Sequence, residues 1–113
     1  MSDRISNVGG LTLKIRREIE RQLSVSEVRI DTIARSAGVS TRTLQRHLRK
    51  DGETFSKIVE EIRRDSAFRL LRERKYDLSV VAKRLGYSDS AHFSRAFRRW
   101  TGGTPSQYRR NPG

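Results

Sequence analysis

Residues 33–40 read Ile-Ala-Arg-Ser-Ala-Gly-Val-Ser, and residues 81–88 read Val-Ala-Lys-Arg-Leu-Gly-Tyr-Ser. Both stretches carry apolar residues at helical spacing, then a glycine, then a hydroxyl residue two places later, and Gly38 and Gly86 lie 48 positions apart. A glycine in that place ends a helix in the left-handed conformation at least cost. A serine soon after it accepts the orphaned N–H groups at the start of the next helix. Each copy therefore spells helix, tight turn, helix. Beyond the turn the match continues at an offset of 49 (Leu44 with Phe93, Arg46 with Arg95, Leu48 with Phe97). It then continues at 50 (Gly52 with Gly102, Thr54 with Thr104, Ser56 with Ser106). One residue is inserted at each step while the order of residue types survives, so the chain is built on a duplicated unit.

Working outward, every long apolar pattern repeats near 3.6 residues and no strand-like alternation occurs. The expected fold is all-α: two helix-turn-helix subdomains, homeodomain-like units, joined by a long central helix, with about seven helices in total. Residues 1–25 are expected to hold a flexible polar start to about Gly10 and then an amphipathic helix over 12–23, with Leu11, Ile15, Ile19 and Leu23 on one stripe. Residues 26–53 form the first helix-turn-helix, its first helix capped by Asp31 and buried through Ile30, Ile33, Ala34 and Ala37. Its second helix, over 41–50, is capped by Ser40 and buried through Leu44 and Leu48. Residues 54–75 are the linker helix, with Phe55, Ile58, Val59, Ile62, Leu70 and Leu71 apolar. Its length of about 30 Å at ~1.5 Å per residue is comparable with the ~34 Å between successive major-groove faces. Residues 76–113 form the second helix-turn-helix and a terminal short helix. There Ser79 is expected to cap the first helix over Val81, Ala82 and Leu85, and Ser88 or Asp89 the second over Phe93, Ala96, Phe97 and Trp100. Tyr76 and Leu78 seal the entrance, and Thr104 with Pro105 starts the last helix, which runs through Tyr108.

With 113 residues the chain has room for one compact domain or two very small ones. That excludes a large enzyme with separate cofactor and substrate domains. Lys plus Arg number 25 against 13 acids, a formal charge of +12, which points to a polyanionic partner. Cysteine is absent, and His47 and His92 have no second imidazole at ligand spacing, so neither a disulfide framework nor a metal site is expected. No apolar run approaches the ~18 residues of a membrane span, and the N-terminus lacks the apolar core of a signal peptide. The chain reads as a soluble intracellular protein with no membrane partner. No nucleophile beside a base, no paired acids in an apolar setting and no phosphate-cradling glycine loop occur, so neither enzymatic activity nor a cofactor is expected.

On a helical wheel of 41–50, Leu44 and Leu48 mark the core and turn Arg42, Arg46 and Arg49 outward, with Gln45 on the flank. Arg can hold the O6 and N7 of guanine with two bonds, and Gln the N6 and N7 of adenine. The N-terminal part of the second helix of a helix-turn-helix enters the major groove. Arg42, Gln45 and Arg46 are therefore candidates for base contacts, and Arg49 for phosphate. In the second unit Phe93, Phe97 and Trp100 point inward and turn Ala91, Arg95 and Arg98 outward, with Ser90, His92 and Ser94 beside them. Ser90, Ala91, His92 and Arg95 are the base candidates there, and Arg98 and Arg99 meet phosphate. Ser40 and Ser88, at helix starts, are further phosphate candidates. A nonspecific architectural binder would also carry Arg-rich helices. Glycine turns and caps at duplicated places favour defined docking.

The stretch Val81-Ala82-x-x-Leu85-Gly86-Tyr87-Ser88-Asp89-x-x-His92-Phe93-Ser94-Arg95-x-Phe97-Arg98-Arg99-Trp100-x-Gly102, closed by Thr104-Pro105-x-x-Tyr108-Arg109, resembles the signature of the AraC/XylS transcription regulators. Ile33-Ala34, Gly38-Val39-Ser40 and Leu44-x-Arg46-x-Leu48 resemble its weaker first half, so the likeness covers roughly 26–110. It implies a seven-helix domain whose two recognition helices enter adjacent major grooves on one face of double-stranded promoter DNA. By the family pattern, base contacts fall on 42, 45, 46, 90–92 and 95. It also implies a cytoplasmic, nucleoid-associated bacterial activator with RNA polymerase as a further partner. As this domain the chain is expected to be a monomer, and a dimer where a separate N-terminal effector domain exists in the full protein. Leu48 departs from the family, which commonly has Phe there, and Arg42 stands at a variable position. The first 25 residues carry no sign of an effector-binding domain.

Overall fold

A computed structural model describes residues 2–23, 25 and 27–111, with side chains from Gly10 onward. Among the described residues there are seven helices and no strand: α1 (Ser2–Leu23), α2 (Ile30–Ala37), α3 (Thr41–Lys50), α4 (Phe55–Glu73), α5 (Leu78–Arg84), α6 (Ser90–Thr101) and α7 (Pro105–Arg110). The start of α1 departs from the sequence expectation. Helix begins at Ser2 rather than near Thr12, through Gly9 and Gly10. Glycine inside a helix costs only about 1 kcal/mol relative to alanine, and no proline interrupts the segment. Met1, Ser24, Ser26, Pro112 and Gly113, at the edges of the expected segments, lie outside the described residues.

The chain divides into two compact units, one of Met1–Gln22 with Ser26–Ile62 and one of Leu23–Val25 with Arg63–Gly113. The helix expected as a separate linker is shared between them. Residues 55–62 of α4 bury Ile58, Val59 and Ile62 in the first unit, and residues 63–73 bury Ala67, Leu70 and Leu71 in the second. Each half of the helix is thus one wall of a small core. Below ~40 residues a core is rarely sufficient alone, and a shared helix enlarges both.

In the first unit the buried side chains are aliphatic: Ile15 and Ile19 of α1, Ile33, Ala34 and Ala37 of α2, Leu44 and Leu48 of α3, and the α4 residues above. Leu11, Ile30 and Phe55, expected inside, are only half-buried. Polar contacts tie α1 to this unit. Thr12 Oγ1 donates to Asp51 Oδ2 at 2.9 Å, and Arg16 lies 3.4 Å from Glu61. The second unit packs Ala67, Leu70, Leu71, Val81, Ala82, Leu85, Phe93 and Phe97 together, with Phe68, Tyr76, Leu78, Tyr87, Trp100 and Tyr108 around them. Phe97 meets Phe68, Phe93, Trp100 and Tyr108 edge-on at 5.6 to 6.2 Å between centroids, an arrangement aromatic quadrupoles favour.

Both helix-turn-helix turns close by the same backbone bonds. In the first, Gly38 N–H donates to Arg35 O at 3.1 Å and Val39 N–H to Ala34 O at 3.0 Å. In the second, Gly86 N–H donates to Lys83 O and Tyr87 N–H to Ala82 O, both at 3.0 Å. Gly38 and Gly86 have φ of 77° and 89°, so the left-handed turn read from the sequence is present in both.

Two caps differ from expectation. Asp31 lies inside the first turn of α2, whose N-cap is Arg29 without a side-chain bond. Its carboxylate accepts from Thr32 N–H and Arg29 Nε instead, and still complements the positive end of the helix. In α5 the cap is Asp77, not Ser79. Asp77 Oδ1 accepts from Val80 N–H at 3.0 Å and from the Ser79 hydroxyl at 2.7 Å. Ser79 lies inside the first turn of α5, one residue past its start, and its hydroxyl is spent as a donor to the capping carboxylate. Ser40, Asp89 and Thr104 cap α3, α6 and α7, Thr104 in a reciprocal capping box with Gln107, and Pro105 takes the first helical position of α7.

Candidate nucleic-acid interface

α3 buries Leu44 and Leu48, which leaves Arg42, Gln45, Arg46, Arg49 and Lys50 exposed. Arg42, Arg46 and Arg49 follow one another at steps of four and three, so they share a face. α6 buries Phe93, Ala96 and Phe97 and leaves Ala91, His92, Arg95, Arg98 and Arg99 exposed, with Ser90 and Ser94 half-buried. Shifted by 49 positions, the two faces superpose residue for residue: Arg42 on Ala91, Gln45 on Ser94, Arg46 on Arg95, Arg49 on Arg98 and Lys50 on Arg99. Lys50 was missed as a candidate in the sequence reading. The constant offset through the helix was the signal that would have found it.

Arg is a frequent ion-pair partner in this chain: Arg16, Arg21, Arg29 and Arg64 each lie within 3.8 Å of a carboxylate. Among the described residues, Arg42, Arg46, Arg49, Arg95 and Arg98 take part in no ion pair, so these five guanidinium groups stand available, five donors each, for an external acceptor.

The two helix starts are electrostatically different. At α3 the cap is neutral. Ser40 Oγ accepts from Thr43 N–H at 3.0 Å and also lies 3.0 Å from Thr43 Oγ1. At α6 the cap is a carboxylate, Asp89, whose Oδ1 accepts from His92 N–H at 2.9 Å and sits 2.9 Å from His92 Nδ1. The His92 backbone N–H, then the His92 ring, hold the Asp89 carboxyl below the usual carboxylate range. Ser88, a phosphate candidate from the sequence, places its hydroxyl 3.1 Å from the same His92 nitrogen, beside that negative charge. An ionised Asp89 favours a proton on His92 Nδ1, which orients the ring at the start of α6.

Below the second turn, Arg63 of α4 stacks its guanidinium over Tyr87 at 5.2 Å from the ring centroid, and Tyr87 in turn meets Phe93 at 5.7 Å. A Cβ on Gly86 would come within 3.2 Å of Leu23 O and 3.4 Å of Arg63 Nη2. The turn that aims α6 is therefore gripped from beneath. No sequence signal singled out Arg63, because an arginine in mid-helix looks like any solvated one. Among the described residues no cluster of His, Asp or Glu could hold a metal ion, and no helix is long and apolar enough to cross a membrane.

A family model described as a helix-turn-helix domain matches residues 33–111. The ornithine utilization regulator of Pseudomonas aeruginosa is 39% identical over 83 residues, 74% of this chain and 24% of that protein. The crystal structure of a transcriptional regulator of the AraC-type DNA-binding class from Chromobacterium violaceum is similar with a TM-score of 0.79 at 26% identity. The likeness covers 96% of this chain and 99% of that one. The DNA-binding domain of the global transcriptional factor AdpA, solved in complex with a target DNA, is similar with a TM-score of 0.73 at 27% identity, covering 88% of this chain and 95% of that domain. The chain spans about a quarter of the length of the curated regulators it first matches. The duplicated turns, the seven helices and the family match across most of the sequence lead to one assignment: the chain belongs to the AraC-type helix-turn-helix domain family of transcription regulators.

Proposed function

We propose that the chain reads promoter DNA for a sequence-specific transcription regulator, each recognition helix addressing its own major-groove segment of one duplex. The observation that carries this reading is the pair of outward faces on α3 and α6, exposed, cationic and matching position for position at an offset of 49. Arg42, Gln45 and Arg46 read bases in the first segment, and Ser90, Ala91, His92 and Arg95 in the second. Arg49, Arg98, Arg99 and the newly recognised Lys50 hold phosphate, and Ser40 adds a hydroxyl and free N–H groups at the start of α3. At the start of α6 the ionised Asp89 repels phosphate, so Ser88 is the weakest member of that set. The AdpA domain, solved on a target DNA, supports duplex DNA as the ligand. Work beside the bacterial nucleoid, activation through RNA polymerase, and dimer formation in a longer protein belong to the same proposal.

Selection of bound duplexes from a random pool tests it. The expected result is an enriched motif with two separable half-sites and a specificity ratio of about 10³ or more over random duplex at physiological salt. Binding equal on all sequences, with only a steep salt dependence, would replace this reading with a nonspecific electrostatic one.

A further inference from the structure

Arg63 of α4 is half-buried in the unit that also contains α5 and α6. Its guanidinium carbon lies 5.2 Å from the centre of the Tyr87 ring, and that ring lies 5.7 Å from the ring of Phe93. Phe93 is fully buried and is the first core side chain of α6. One chain of contacts therefore runs from α4 through the turn to the reading helix: Arg63, Tyr87, Phe93. Ala91, His92 and Arg95, all exposed, stand within two residues of Phe93.

The matching place in the first unit is built differently. At the offset of 48 that relates Gly38 to Gly86, Ile15 matches Arg63, Ile19 matches Ala67 and Leu23 matches Leu71. All of these except Arg63 are buried and aliphatic. Arg63 Nε is shut off from solvent and has no hydrogen-bond partner among the described residues. A desolvated N–H costs free energy that an aliphatic side chain would not. Ile15 shows that a copy of the unit closes its core with an aliphatic side chain in this place, so core closure does not require an arginine. What the arginine adds is a cation over the face of Tyr87, an attraction that no aliphatic group supplies.

The consequence falls on the placement of α6. A bidentate base contact needs donor–acceptor distances of about 2.7–3.2 Å, and a recognition group must be held within about 0.5 Å of its productive place. We infer that Arg63 is a positioning residue for the second reading helix: by clamping Tyr87 against Phe93 it fixes the placement of α6 and so sets base preference in the half-site that α6 reads. This inference rests on the DNA-reading proposal.

Selection of bound duplexes from a random pool with the parent, Arg63→Met, Arg63→Lys and Tyr87→Leu tests it, with circular dichroism to establish that each variant is folded. The half-site of α6 is the one that Arg95→Ala relaxes. Arg63→Met keeps the length of the side chain without its charge. It should lower base discrimination in that half-site by about 3–30-fold, the ratio that the cation–π contact of a partly buried arginine supplies, and leave the half-site of α3 unchanged. Arg63→Lys, which keeps a cation over the ring, should fall between the parent and Arg63→Met. Tyr87→Leu removes the same contact from the other side and serves as an independent variant should Arg63→Met fail to fold. Its effect should be confined to the same half-site and should not add to that of Arg63→Met in the double variant. Retention of the parent's preference in either folded variant, or a loss shared equally by both half-sites, would overturn the inference. So would a uniform loss on operator and random duplex with a salt slope lower by about 0.9, the mark of a direct phosphate contact. A parent without two half-sites would sink the DNA-reading proposal itself, whereas a parent with both and unchanged variants sinks this inference alone.

Discussion

A methyl group added to each turn glycine separates two costs that both turns otherwise share. Gly38 and Gly86 have φ of 77° and 89°, so Gly38→Ala and Gly86→Ala each place an L side chain in the left-handed region. That costs about 1–2 kcal/mol in either place. The surroundings differ. Nothing lies within 4 Å of a Cβ built on Gly38, whereas on Gly86 it meets Leu23 O at 3.2 Å and Arg63 Nη2 at 3.4 Å. The arginine head can swing away, but the carbonyl belongs to the backbone and must move with its helix end. Such crowding adds roughly 1–3 kcal/mol, so Gly86→Ala should cost about 2–5 kcal/mol against about 1–2 for Gly38→Ala. The single Trp of the chain, Trp100, packs against the second core, so its fluorescence follows that unit while far-ultraviolet circular dichroism follows every helix. In urea unfolding, the fluorescence midpoint of Gly86→Ala should fall further than any midpoint of Gly38→Ala, by roughly 0.3–3 M for an extra cost of about 1–3 kcal/mol at ~1–3 kcal/mol per M. Equal losses in the two variants, or a larger one for Gly38→Ala, would refute the gripped-turn argument.

The remaining expectations concern DNA and pH. Arg46→Ala and Arg95→Ala should each weaken specific binding by about 1–3 kcal/mol and relax base preference at one position of separate half-sites; selection with both variants checks this, and full retention of the parent motif would remove them from the reading set. Arg49→Ala, Lys50→Ala and Arg98→Ala should weaken operator and random duplex alike and lower the salt slope by about 0.9 each, so loss on the operator alone would reclassify them as base readers. The Asp77 and Asp89 carboxyls are held below their ordinary value near 3.8, Asp77 first by the Ser79 hydroxyl and Asp89 first by the His92 backbone N–H. A lowered folded value means that each carboxylate stabilises the fold above about pH 4 and ceases to do so as pH falls through the lowered value. Asp77→Asn with Asp89→Asn keeps both caps and should flatten the acid limb of a melting-temperature profile; an unchanged limb would show that these caps do not drive acid unfolding.

The turns were legible because their chemistry is local. Gly38 and Gly86 need the left-handed region, and only the backbone three to five residues away takes part in their bonds. The outward faces of α3 and α6 were legible for a related reason. Once Leu44, Leu48, Phe93 and Phe97 are assigned inward, helical geometry places Arg46 and Arg95 outside without reference to anything else. Caps were read less well. Asp77, Ser79 and Asp31 all can accept a helix-start N–H, and which one does so depends on where the first turn begins, a boundary uncertain by one or two residues in any sequence pattern.

By itself the sequence determined the all-helical class, the duplication, the basic character of the chain and, Lys50 apart, which polar side chains of α3 and α6 face outward. These follow from periodicity, residue type and charge, which act over a few neighbours or over the whole chain at once. Tertiary structure decided that α4 is a wall of two cores and that Arg63 and Leu23 close on the Gly86 turn. Each of those depends on which distant segment packs against which. An arginine in mid-helix has the same local pattern whether it faces water or the inside of a protein.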